Sequence, residues 1–416
     1  MPTKKILLFV SVLWGARLCA QEMNAPYSTY GIGDINFRTS DRSSGMGYTS
    51  YALFSTPGFL LTKNPASITG LERSVLQLNL SLVGKATTYT GNSINSTDNK
   101  SRDMTVKQFF VSTKFNNRWA SSIGFTPFSY VSYLYTGTKN IEGSSNLYDA
   151  QYEGDGGLYN VSWNNGFTIN KHFSIGIRPS FIFGSINQTE TLQSESLTNT
   201  VQSKTKNYYN NLRLEYGAIY KGKLNKNWQL SLGGTFAAKT SLLSERTLTV
   251  TEGTKVIEQD RELSGTPFKL PTTYGAGIAL THKERSTFTV DYTFENWDAT
   301  NTRGNSWSLI NSHRVSAGVQ LLSKVEQYGR TFEKSFFQFG FYTQQSYLRV
   351  RNTPVTELGG TVGYGGFLSG QLGYNLSLEA GRRGTTINGL IRENFVQFTI
   401  ALSYREFLYS KGRKYN

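Results

Sequence analysis

The chain has 416 residues, a formal net charge of +15, one cysteine and three histidines. It contains no HExxH pattern, no zinc-ligand spacing and no GxSxG elbow, so neither an enzyme activity nor a metal or other cofactor is expected. Only 38% of residues are apolar although aromatics reach 14%, and no apolar run after the first twenty residues approaches the roughly 18 of a membrane helix; a helical membrane protein is excluded, and a soluble β-protein or a membrane β-barrel remains.

In chain order, MPTKKILLFVSVLWGARLCA (1–20) has a basic start, an apolar run and a small residue at Ala20, the pattern of a secretory signal peptide. Arg17 and Leu18 before Cys19 suit lipoprotein processing poorly. Cleavage after Ala20 removes Cys19 together with Lys4, Lys5 and Arg17, lowering the charge from +15 to +12 and leaving no thiol. The remaining positive charge is scattered, with no basic run longer than three. Anionic lipid head groups or surface polysaccharide are the expected anionic partners, and nucleic acid is not.

The segment 45–72, GMGYTSYALFSTPGFLLTKNPASITGLE, is too apolar for a solvated tail and too broken by Gly and Pro for a regular element. From residue 74 the hydrophobic period is two. In VLQLNLSL, Leu76, Leu78, Leu80 and Leu82 share one face while Gln77, Asn79 and Ser81 share the other. TFTVDYTFE sets Phe288, Val290, Tyr292 and Phe294 against Thr289, Asp291 and Glu295, and FVQFTIALSY sets Val396, Phe398, Ile400 and Leu402 against Gln397, Thr399 and Ser403. Fourteen strand candidates follow: 74–86, 104–116, 118–136, 157–169, 172–190, 206–224, 227–249, 269–283, 286–299, 311–323, 334–350, 354–366, 368–382 and 393–409.

Tight polar turns at 115–119, 169–173, 224–228 and 282–286 alternate with long polar stretches at 87–103, 137–156, 191–205 and 250–268. Segregation of short turns from long loops is the signature of an outer-membrane barrel, and a sandwich has no reason for it. The fold expected is all-β: a 14-stranded antiparallel transmembrane β-barrel in the Gram-negative outer membrane, with residues 73–409 in the wall and both termini periplasmic. Trp119, Trp228, Trp297, Trp307, Tyr404 and Phe407 fall near strand ends, as interfacial girdles require. His172 and His282 fall in turns and His313 at an interface. Asp291 and Glu295 belong to a wet lumen wall rather than an acid–base pair, and Tyr208 and Tyr209 to a solvated loop.

Fourteen strands enclose more space than the wall's own side chains fill, so 21–72 is read as an N-terminal hatch that enters and plugs the lumen. NPASITGL (64–71), directly before the first strand, resembles the NPA motif in the hatch of FadL-type transporters of long-chain fatty acids and other hydrophobic compounds. RWASSIGFTPFSY (118–130), LPTTYGAGIAL (270–280) with VDYTFENW (290–297), NAPYSTYGIGDINFRTSDRSSGMG (24–47) and the C-terminal block 381–416 resemble the same family, in a hatch-containing branch with a basic tail at 410–416.

The resemblance implies passive uptake of a hydrophobic, fatty-acid-like molecule past the hatch, with lateral exit to outer-membrane lipid through a kinked third strand. On that reading Phe54, Phe59, Leu60, Asn64, Pro65 and Ala66 line the hatch path, and Gly124 and Pro127 mark the kink. An ordinary bulge accounts equally for Pro127, and a common turn for Asn64–Pro65. Uptake requires an apolar cavity between hatch and upper wall. The alternative is a non-transporting FadL-like barrel, a shuttle or scaffold subunit of an outer-membrane secretion or assembly complex, with a protein partner in the envelope docked by Lys411, Arg413 and Lys414. A diffusion porin follows from the polar lumen alone, with Gln77, Asn79, Thr289 and Ser403 facing inward; the hatch argues against it.

Overall fold

The computed structural model describes residues 25–91, 99–140, 147–193, 200–327 and 330–408. The signal peptide, Cys19 and the tail 410–416 lie outside the described residues. The wall consists of β1 (Val75–Thr90), β2 (Lys100–Lys114), β3 (Trp119–Asn140), β4 (Leu147–Thr168), β5 (Phe173–Gln193), β6 (Val201–Lys223), β7 (Trp228–Ala237), β8 (Thr272–His282), β9 (Ser286–Asn296), β10 (Ser312–Gln327), β11 (Arg330–Val350), β12 (Thr353–Phe367), β13 (Leu372–Arg383) and β14 (Arg392–Phe407). Each pairs antiparallel with the next, and β14 returns to β1 from Arg392↔Thr90 to Phe407↔Val75, closing a 14-stranded barrel. Closure removes the sheet edges that lipid could not satisfy.

The tight turns at one end have a shared cause. Asn116, Asn170 and Asn225 each accept, through Oδ1, the backbone N–H of the aromatic residue three positions on, Trp119, Phe173 and Trp228, at 2.9 Å. This Asx turn fixes three tight hairpins at one end of the barrel with one sequence device. The opposite end departs from expectation. The strands on one side run on: β3 and β4 have 22 residues each and β6 has 23, well beyond the roughly 9–11 that cross a bilayer. The stretch 250–268 is not a loop but part of a hairpin, Thr240–Glu252 against Lys255–Leu263, that continues the wall above β7 and pairs with β6 from Val201↔Glu252 to Asn210↔Leu243. Tyr208 and Tyr209 lie within β6, not in a solvated loop.

The period-two reading places the two faces as the pleat demands. On β9, Phe288, Val290 and Tyr292 are 43%, 53% and 43% exposed on the outside, while Thr287, Thr289, Asp291 and Thr293 are buried within. Trp119 stacks on Phe115 at 4.5 Å beside the turn end, and Trp228 packs on His282 at 4.6 Å. Trp297 and Trp307 are not girdle residues. Trp297 is buried against Tyr347 and Phe268, and Trp307 packs on Tyr30 of the N-terminal segment. The extended outer wall curls these rings inward to cover the lumen.

Residues 25–72 fill the barrel. They form three 3-10 turns, Pro26–Thr29, Arg42–Met46 and Pro65–Gly70, and a two-residue strand, Asp34–Ile35. The upper part, with Tyr27 and Ile32, joins an apolar cluster with Val131, Leu158, Ile182, Leu270 and Trp297. The lower part forms a second cluster of Leu60, Ile68 and Leu71 with Phe110 and Ala120. The hatch thus stoppers the lumen at two levels.

Candidate functional site: hatch, wall gap and inner chamber

The NPA turn is tied to the wall by its own side chain. Asn64 caps the turn by accepting from the Ala66 N–H at 3.0 Å, while its Nδ2 donates to the carbonyls of Tyr51 at 2.8 Å, Ala218 at 3.2 Å and Gly234 at 3.4 Å. Asn64 and Ala66 are fully buried, and Pro65 lies against β6. The close approach requires glycine in the wall: a Cβ on Gly217 would collide with Asn64 Oδ1 and Pro65. On β11 a Cβ on Gly340 would collide with the hatch backbone at Met46–Gly47.

Ionic contacts reinforce this seat. Lys63 pairs with Asp291 of β9 at 3.2 Å, and Asp291 also accepts the backbone N–H of Ser50 and Tyr51. Burial pulls the Lys63 ammonium down to about 8, against the Asp291 carboxylate that holds it up. Arg42 pairs with Glu333 of β11 at 2.8 Å, Asp34 with Arg383 of β13, and Arg38 with both Glu357 of β12 and Glu379 of β13. Four charged hatch residues therefore find partners on four different wall strands. Composition could not reveal this, because the pairing depends on which residues meet across the lumen.

Phe59 and Leu60 sit low in the hatch. Phe59 packs on Phe336 and Phe367 at 5.4 and 5.2 Å, with the Arg42 guanidinium 4.9 Å from its ring, and Leu60 belongs to the lower cluster. Phe54 is half-buried, its ring 5.5 Å from Lys221 Nζ. Lys221 belongs to β6, beside its tight-turn end. These residues meet different parts of the wall, Phe59 the strands of Phe336 and Phe367, Leu60 those of Phe110 and Ala120, and Phe54 that of Lys221.

Gly124 and Pro127 lie at a discontinuity in the wall. The β2–β3 ladder runs only from Lys114↔Ala120 to Phe109↔Phe125, and Gly124 faces Phe110, whose ring covers it. Pro127 precedes a register shift at Phe128 in the β3–β4 ladder. Above this point β3 pairs with the hatch in place of β2: Asp34↔Tyr130 and Ile35↔Ser129 are in register, Asn36 N–H donates to Phe128 O at 3.0 Å, and Ala25 N–H to Ser132 O at 2.9 Å. The hatch strand takes the place that β2 vacates and satisfies the exposed β3 edge.

Between hatch and upper wall lies a cavity of about 250 Å³. Its lining mixes apolar and charged side chains. Phe37, Phe110, Phe128, Ile182, Leu270 and Trp297 contribute to its walls, but so do six cations, Arg38, Lys63, Lys107, Arg178, Arg213 and Arg314, with two carboxylates, Glu215 and Glu295. The alternating wall presents its polar face to the lumen, and the hatch adds the rings of Phe37 and Tyr51 as well as the charges of Arg38 and Lys63. Asp291 and Glu295 do face the lumen as expected. No group of three or more His, Cys, Asp and Glu side chains is placed to hold a metal among the described residues.

A model of the BamG family matches residues 2–416. The chain belongs to the BamG family. No curated protein matches it. Among solved structures, a Pseudomonas aeruginosa FadL homologue superposes over 91% of this chain and 100% of its own with a TM-score of 0.60 at 13% identity. The Pseudomonas putida toluene transporter TodX covers 91% of this chain and 100% of its own (TM-score 0.57, 14% identity), and the Ralstonia pickettii toluene transporter TbuX covers 88% and 97% (TM-score 0.55, 15% identity). At such identities the likeness is one of fold. This BamG-family chain therefore shares the fold of the FadL-type barrels, with its N-terminal segment inside the lumen.

Proposed function

We propose that this BamG-family chain is a non-conducting barrel subunit of an outer-membrane protein-assembly complex, exported by its signal peptide and held among lipids by its apolar outer face. The observation that carries this reading is the seat of the hatch. Asn64 and Gly47 lie on glycines of two well-separated wall strands, four hatch charges are matched on four strands, and Asp34–Ile35 occupies the wall gap. Opening a path would require breaking several buried ion pairs, each worth about 3–5 kcal/mol when one partner is left unmatched. The charged chamber also disfavours an apolar ligand. The family's name, shared with the Bam subunits of barrel assembly, agrees with this reading.

A second reading, passive uptake of a hydrophobic molecule with lateral exit, is favoured by the short β2–β3 ladder at Gly124 and Pro127 and by the fold shared with the toluene transporters. On that reading Phe54, Phe59 and Leu60 move with Asn64, Pro65 and Ala66 as the hatch shifts.

Purification from native membranes in mild detergent separates the two. Stoichiometric protein partners on a native gel, with no enriched apolar molecule in the organic extract, is the expected result. A monomeric barrel carrying a stoichiometric apolar compound that is lost on Asn64→Ala would overturn the subunit reading.

A further inference from the structure

The charges lining the chamber do not balance. Arg38 is matched by Glu357 and Glu379, Lys63 by Asp291, and Arg178 by Glu215 at 2.6 Å. Arg213 and Arg314 have no carboxylate within ion-pair distance among the described residues. Arg213 donates through Nη2 to Pro271 O and Thr273 Oγ1, both at 2.9 Å, and its Nε has no hydrogen-bond partner. Arg314, 8% exposed, donates through Nη2 to Thr293 Oγ1 at 3.5 Å and lies 4.2 Å from the Phe37 ring; its Nη1 has no partner. Glu295 lines the same chamber, but its Oε2 accepts from Trp297 Nε1 at 2.9 Å.

The two guanidiniums belong to one patch. Thr273 stands opposite Glu295 in the β8–β9 register, and Arg314 opposite Thr293, two residues along β9 on the same lumen face. A buried cation without a counter-charge costs several kcal/mol, and an unmatched buried N–H adds to that cost. A planar guanidinium with free N–H groups is shaped for a phosphate or carboxylate, and two of them converging on one cavity make a stronger oxyanion site than either alone. The chamber is roofed by the apolar cluster around Ile182, Leu270 and Trp297, floored by Thr62 and Lys63 of the hatch, and reaches both lips of the wall gap, Gln108 on β2 and Phe128 on β3.

We infer that this chamber is a binding site for an oxyanion, a phosphate or carboxylate group held by Arg213 and Arg314 and carried either on a free small anion or on a lipid head group. The site is independent of whether the barrel is a complex subunit or a transporter, because both arginines belong to wall strands and the seated hatch closes the chamber in either case.

The test uses the full mature chain purified from outer membranes. Native mass spectrometry reads any anionic lipid retained, and calorimetric titration with inorganic phosphate and with acetate reads the free anions. The wild-type chain is compared with Arg213→Gln, Arg314→Gln and the double variant, each checked for folding by heat-modifiable gel mobility. Where Arg314→Gln does not fold, Arg314→Lys keeps the charge and loses the fork. Saturable binding of phosphate or acetate, weakened at least tenfold in the double variant, supports the site and assigns it a free anion. A retained phospholipid or acidic lipid that the double variant loses supports the site and assigns it a head group. No retained anionic lipid and no anion binding, or binding undiminished in the double variant, overturns it.

Discussion

The carboxamide of Asn64 occupies the space where a side chain on Gly217 would stand. Side chains of the hatch therefore lie directly on the wall backbone here, and the asparagine spends its donor on the carbonyls of Tyr51, Ala218 and Gly234. A plug held this way has one seat.

Gly217→Ala should unseat it. The added methyl meets Asn64 Oδ1 and Pro65 in a packed interior, where overpacking costs about 1–3 kcal/mol. Asn64→Ala, which leaves the Ala66 N–H without its cap, should cost about the same. Thermal unfolding in detergent, followed by heat-modifiable mobility, reads both. A Gly217→Ala protein as stable as wild type would place the NPA turn elsewhere.

The Lys63–Asp291 pair makes a second test. Asp291→Asn removes the charge facing Lys63 and weakens the acceptor shared by Ser50 and Tyr51, and should destabilise by about 3–5 kcal/mol. Lys63→Met in the same background should recover part of that loss, because no buried charge then lacks a partner. A double-mutant cycle with no coupling would show that the pair does not form in the membrane.

The strand Asp34–Ile35 in the wall gap can be trapped. Ile35→Cys with Ser129→Cys puts two thiols on residues in register across an antiparallel pair, within the reach of a disulfide. Mild oxidation should cross-link them in intact outer membranes, detected as a shift on a non-reducing gel after cleavage between hatch and β3. Absence of the cross-link would mean that the gap stands open.

Conductance tests the plug as a whole. In planar bilayers the intact chain should show no channel steps, since the hatch stoppers the lumen at two apolar levels. Deleting 25–72 should leave a wide, water-filled pore with stable steps. Steps of that size from the intact chain would overturn the non-conducting reading.

The barrel wall is legible in the residue pattern. A strand buried on one face and in lipid on the other must alternate, so Leu76 to Leu82 and Phe288 to Tyr292 announce both the strands and their outward face, and Asn116, Asn170 and Asn225 announce the turns. The NPA segment was legible as a hatch because an apolar stretch broken by Gly and Pro before a wide barrel has little else to fill. The partners of the hatch emerge only in the folded barrel. Arg38 finds Glu357 and Glu379 more than 300 residues away, Asp34 finds Arg383, and Asp34–Ile35 replaces β2 beside β3. The chamber's unmatched arginines also emerge only there. Local pattern fixes which face a residue takes, but charge balance inside a closed lumen depends on strands brought together by barrel closure, and no local period encodes that.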